Sequence, residues 1–227
     1  MMDKIIFKNK RVEASPKKLE KAGVNTSIGS ETNEQFIFTT REGIPNRGQR
    51  GRVIIFIDGA NLFYAASHLC VEIDYAKLLH YLTAEDHLVH VYFYTGCDPD
   101  NERQNGFLCW MRYNGFRVVT KKLETCPRNG KKANLDVEIA VDMMSLSHHC
   151  DTAVLVSGDG GFAYVVNEIA AQGVRVEVVG LRSMTSNTLI AAADCYVDLA
   201  DIKQIFQKFN GCCVHQPDID RNTIKQI

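Results

Sequence analysis

Residues 53–62 read VIIFIDGANL, and this stretch decides the fold. VIIFI is an unbroken apolar run rich in β-branched residues, the pattern of a strand buried on both faces. Asp58-Gly59 closes it, and residues 60–69 carry a helical pattern. Working outward, strand signals recur at 88–94, 116–120, 152–156 and 174–179, with a shorter one at 196–199. Helical patterns fill the gaps at 75–82, with Asp74 as N-cap, and at 101–113, ended by Asn114-Gly115. They continue from an Asn134 cap to about 147, then at 162–171, 188–192 and 201–208. Strands alternating with helices imply βαβ units, hence an α/β fold with a mostly parallel sheet covered on both faces.

The rest of the chain frames that body. Residues 1–51 lack a sustained period and read as a loose arm and Gly/Pro/Arg linker; residues 36–40 (FIFTT) could add an edge strand. Residues 52–208 form the domain, and 209–227 a polar tail. The 227 residues carry a net charge of −1, unevenly spread. Residues 103–132 hold eight basic residues and one acid, Glu124, beside an otherwise acidic body. The longest apolar runs are too short to cross a bilayer, and the three-residue apolar run near the N-terminus is too short for a secretory signal. No membrane association and a cytoplasmic location are therefore expected. Eight scattered cysteines with no C-x-x-C pair read as reduced thiols. Cys212-Cys213-Val214-His215 is short of ligands for a zinc site.

Ligands of an open parallel sheet bind beyond the carboxyl ends of its strands. Asp58 follows the first strand and Asp159 the fourth. Asp136 tops the stripe of Ile139 and Ala140 on the helix before the fourth strand. Converging carboxylates repel one another unless a hard cation lies between them, and oxygen donors suit Mg²⁺ or Mn²⁺. Each acid also has a plain role, as a turn residue or as a helix N-terminal acid. Asn61, at the start of a helix, can orient a water or a phosphate oxygen, or act as a cap. Asp142, about 120° around the helix from Asp136, is expected to support the site by a hydrogen bond, as is Ser157. Glu138 reads as solvent-facing.

A cationic loop beside such acids suits a polyanion. Lys121, Lys122, Arg128, Lys131 and Lys132 supply it, Lys132 standing four residues before Asp136. Arg182, Ser183 and Ser186, after the fifth strand, make a second phosphate-binding candidate, although Ser186 also reads as a helix cap. Trp110, Tyr113 and Phe116 read as core at least as well as base-stacking residues. The glycines at 158, 160 and 161 do not complete G-x-G-x-x-G; Ala60 breaks a D-x-D pair, and no P-loop G-K-[ST] is present.

Three motifs in order, FIDGANL (56–62), KANLDVEIAVDMM (132–144) and VLVSGDGGF (154–162), followed by residues 176–199, resemble the NYN domain, and within it the LabA-like branch of the PIN-like nucleases. The resemblance spans about 52–199. It implies a three-layer α/β/α sandwich with a five-stranded parallel core and a metal-dependent ribonuclease site. Asp58 would match the first-strand aspartate, Asn61 the Asn of D-G-x-N, Asp136 and Asp142 the helix aspartates, and Asp159 the first aspartate of S-G-D-x-D-F. Gly161 stands where that motif has its second aspartate.

The expectation is a ribonuclease in which Asp58, Asp136 and Asp159 hold Mg²⁺ or Mn²⁺ and activate water against an RNA phosphodiester. Gly161 motivates an alternative: a catalytically weak RNA-binding or regulatory module. Self-association, and a regulatory protein partner bound through the arm, are left open.

Overall fold

The run Val53–Ile57 forms the centre of β1 (Arg52–Asp58), and each of those five side chains is buried. Alternation splits them between two cores. Val53, Ile55 and Ile57 face one, with Leu62 of α1 (Gly59–His68), Leu78 and Leu82 of α2 (Tyr75–Thr83), and Met111 of α3 (Glu102–Tyr113). Ile54 and Phe56 face the other, with Ile139 and Met143 of α4 (Asp136–Leu146) and Val166 and Ile169 of α5 (Ala163–Ala171). A strand walled by helices on both sides has no solvent face, which is why it contains no polar residue between Arg52 and Asp58. Truncating Phe56 to Ala would cost about 3–5 kcal/mol. The computed structural model describes residues 50–83, 86–126 and 130–208.

β1 pairs in parallel with β2 (His87–Cys97) on one side and β6 (Thr152–Val156) on the other. With β3 (Phe116–Lys122), β7 (Arg175–Gly180) and β8 (Cys195–Asp198), the order is β3-β2-β1-β6-β7-β8, all parallel. The order reverses between β1 and β6, so their following loops part there. α6 (Asn187–Ala192) and α7 (Lys203–Phe206) complete the covering. The sheet has six strands where the resemblance implied five, because the short segment near 196–199 pairs in register with β7.

Residues 121–133 are not a plain loop: β4 (Glu124–Cys126) pairs antiparallel with β5 (Gly130–Lys132). Phe116 is core, whereas Tyr113 is 90% exposed and Trp110 stacks on Phe107. Cys70, Cys97, Cys109 and Cys150 form no disulfide. Among the described residues no helix is long and apolar enough to cross a membrane. Residues 36–40 and 212–215 lie outside the described residues.

At the amino ends of the strands the charges are paired. Arg50, fully buried, lies 3.1 Å from the buried Glu177 carboxylate and 3.2 Å from Asp86, and donates to Leu82 O at 2.7 Å. Arg175 Nε donates to Glu177 at 3.0 Å. Thr152 Oγ1 holds the Arg50 carbonyl at 2.7 Å, so the packed body includes the residue just before the linker boundary drawn at 51. Arg52 makes a two-pronged contact with Asp151.

Candidate active site

Asp58 sits at the carboxyl end of β1 and caps α1: its Oδ1 accepts from Asn61 N at 3.0 Å. An aspartate there satisfies an N–H that a helix start leaves open. Its other oxygen, Oδ2, accepts from Ser157 Oγ at 3.1 Å. The Asn61 side chain crosses to the same loop, its Oδ1 accepting from Gly158 N at 3.0 Å. Ser157 Oγ also accepts from Asp159 N at 3.2 Å. Thus the loops after β1 and β6 are laced together around one carboxylate.

Asp136 opens α4, its N–H held by Asn134 Oδ1 at 2.8 Å. The Asp58 carboxyl is pushed up from the ordinary aspartate range, chiefly by burial, with the like charge of Asp136 adding to it. Asn61 and Ser157 oppose the rise by donating to the ionised form. No described basic side chain forms an ion pair with Asp58 or Asp136.

Asp159 follows the same edge but turns into its own loop: its Oδ1 accepts from Gly161 N at 2.8 Å, capping the 3-10 turn Gly160–Phe162. Among the described residues no three His, Cys, Asp or Glu side chains form a ready group for a metal ion. Asp136 therefore lies near enough to Asp58 for its charge to be felt, and Asp159 is linked to Asp58 through Ser157. Two carboxylates still fit Mg²⁺ or Mn²⁺, because Mg²⁺ keeps several waters and takes one or two carboxylates plus substrate phosphate oxygens. The observation favouring a cation is the half-buried, like-charged pair, which has no ion-pair partner among the described residues.

Gly158 and Gly161 differ in kind. A Cβ on Gly158 would come within 2.6 Å of Met184 O, because Ser186 N donates to Gly158 O and draws the loop after β7 against it. A Cβ on Gly161 meets only the Asp159 side chain, its Oδ1 at 3.3 Å, which must give slightly, and no backbone.

The second loop is partly committed to itself. Ser186 caps α6, its Oγ 2.7 Å from Thr188 Oγ1, and Arg182 donates to Asn187 Oδ1 at 2.8 Å. Arg182 and Ser183 are exposed. Lys122 is exposed at the end of β3, whereas Lys121 is tied to Asn134 O and Glu138. Glu138 is therefore an ion-pair partner rather than solvent-facing, and Lys121 holds its carboxyl below the usual range. Arg128 and the side chains of Lys131 and Lys132 lie outside the described residues. Asp142 accepts from Tyr94 Oη at 2.8 Å. Tyr94 was not singled out from sequence, although the alternation in β2 places it on the face of Asp58.

The NYN domain family model matches residues 52–200, which is most of the chain. The chain belongs to the NYN domain family. This NYN domain is 37% identical over 166 residues to the low amplitude and bright protein LabA of Synechococcus elongatus, spanning 69% of this chain and 88% of that protein. A crystal structure of a protein of unknown function from Vibrio parahaemolyticus superposes with a TM-score of 0.60 at 27% identity, covering 66% of this chain and 94% of the other. The NYN domain is thus of the PIN-like, nuclease-type class, whose members typically use divalent metals.

Proposed function

We propose that this NYN domain is a metal-dependent ribonuclease acting on RNA phosphodiesters. The observation that carries the proposal is the half-buried Asp58 carboxyl at the strand edge, which feels the like charge of Asp136 and has no ion-pair partner among the described residues. Asp58 and Asp136 would hold Mg²⁺ or Mn²⁺, with Asp159 alongside. The ion, when bound, supplies a lowered water pKa and neutralises phosphate charge.

The chain's own groups do the rest. Asn61 spends its Oδ1 on Gly158 N, which leaves its Nδ2 to donate to a phosphate oxygen. Ser157 fixes the Asp58 carboxylate plane. Lys122, Arg128, Lys131, Lys132, Arg182 and Ser183 supply cations and donors for the RNA backbone, so binding should weaken with salt. Ser186 contributes as the cap that sets this loop. A reduced, cytoplasmic setting fits the thiols that form no disulfide.

The test is cleavage of a labelled mixed-sequence RNA with Mn²⁺, Mg²⁺ or EDTA, beside Asp58→Asn. Metal-dependent cleavage lost in the variant is expected. Equal cleavage by the variant would sink the proposal. A second reading, RNA binding with little turnover, is favoured by one observation: Gly161 puts no side chain where the motif has a carboxylate. It predicts that Gly161→Asp raises metal affinity and cleavage.

A further inference from the structure

Asp58 and Tyr94 are partners in the β1–β2 register. Strand alternation puts Tyr94 on the same face as Phe56 and Tyr92, the face that α4 covers. Tyr94 is 1% exposed and stacks beside Tyr92, with ring centroids 6.2 Å apart. Its hydroxyl reaches out of that apolar layer to one acceptor, Asp142 Oδ2, at 2.8 Å. Burial, and then this bond, push the phenol well above its ordinary pKa, so it stays a donor at every physiological pH.

Asp142 lies six residues beyond Asp136, about 9 Å along the α4 axis. The buried contacts of α4 with the sheet are otherwise apolar and centre on Ile139 and Met143, while Lys121 of β3 reaches Glu138 at the surface. Apolar contacts are non-directional and resist sliding or rotation weakly. A hydrogen bond is directional, and a buried hydroxyl that loses its acceptor is costly. Among the described residues the first turn of α4 is held by Asn134 and by Lys121 of β3, whose half-exposed bond to Glu138 is screened by solvent, and its cap residue Leu135 makes no side-chain bond.

We infer that Tyr94 and Asp142 are a positioning pair: their hydrogen bond pins α4 to β2 at the height that brings Asp136 to Asp58. Asp142 then acts through α4 and does not ligate the ion. This rests on the reading that Asp58 and Asp136 hold the divalent cation.

The experiment is Mn²⁺ titration, without RNA, of the full chain and of Tyr94→Phe, Asp142→Asn, Asp142→Leu and Asp58→Asn, with crystal structures of the parent and Tyr94→Phe. Tyr94→Phe should weaken Mn²⁺ binding about 10–100-fold at temperatures where the fold is intact. Asp142→Leu should do the same by a second route, whereas Asp142→Asn, which keeps an acceptor oxygen, should bind Mn²⁺ nearly as the parent does. A loss in Asp142→Asn equal to that in Asp58→Asn would make Asp142 a ligand and overturn the inference. So would unchanged affinity in Tyr94→Phe. Should the parent bind no Mn²⁺, the metal reading falls by itself, and the crystal structures decide: a shift of the first turn of α4 away from β1 supports the pair, and superposable helices overturn it.

Discussion

The two ends of the sheet treat charge in opposite ways. At the amino end, Arg50, Glu177, Asp86 and Arg175 form a connected network, and Arg52 pairs with Asp151. At the carboxyl end, Asp58 and Asp136 share a half-buried edge with no described basic partner, and burial already disfavours the charge on Asp58. One end spends its charges on holding the fold. The other carries charges that weaken it and that suit a ligand of opposite sign. The contrast separates residues that serve architecture from residues that serve binding, without reference to any relative.

The largest expected effect breaks the architectural end. Glu177→Gln would leave Arg50 buried beside one carboxylate fewer, at a cost of about 3–5 kcal/mol in urea unfolding. Arg50→Met with Glu177→Leu should lose markedly less, because both charges leave together. Next, Gly158→Ala should destabilise by about 1–3 kcal/mol, as its methyl meets the Met184 carbonyl, while Gly161→Ala should stay within about 0.5 kcal/mol. Equal effects at the two glycines would contradict the packing described for the two loops.

Third, the carboxyl end should show the reverse sign. Asp58→Asn should stabilise the protein by about 0.5–2 kcal/mol at neutral pH while removing cleavage. The sign follows from its raised carboxyl. Above the folded value the chain is ionised in both states and folding carries the full penalty. As pH falls towards the ordinary value of 3.8 that penalty disappears. The gain from Asn should therefore vanish in acid, which thermal melts across pH would read. The smallest effect is at the surface. Arg52 holds the Asp151 carboxyl down to about 2, so its contribution is complete above 3.8 and is lost as pH falls through about 2. Asp151→Asn should flatten that acid limb, less so at high salt, because both partners are half exposed.

Much of this was legible in the sequence. The run at 53–57 had to be a two-faced buried strand, and Asp74 caps its helix where the pattern placed it, while Asp58 and Asn101 prove to be caps as well. Local chemistry sufficed for those. It did not suffice for Glu177, which sits in RVEVVG as a charge inside a buried strand and makes sense only once Arg50 arrives from another part of the chain. The Lys121–Glu138 pair and the β4–β5 hairpin were missed for related reasons: one is a contact between separate elements, and the other lies in a segment whose charges hid its pairing. Within the site, hydrogen bonds link Asp58 to Ser157 and Asn61 to Gly158, contacts between loops that no local pattern encodes. Asp159 turned out to bond its own loop because a 3-10 turn, not visible in the periodicity, begins beside it.

The parallel pairing of β1 with β6 also sets when the site comes into being. Ser157 reaches Asp58 across 99 positions of chain, and between them lie β2 to β6 and α1 to α4. Such distant closure is slow and comes late, because the entropy of the intervening chain must be lost first. A nascent chain that has emerged only through β3 can pair β1 with β2 and bury part of one core, yet its Asp58 has neither Ser157 nor Asp136 beside it. Fragments ending with β3 should therefore bind no divalent ion at Asp58, however much sheet they form. On the proposed reading, phosphodiester chemistry would wait until synthesis has passed the β6 loop.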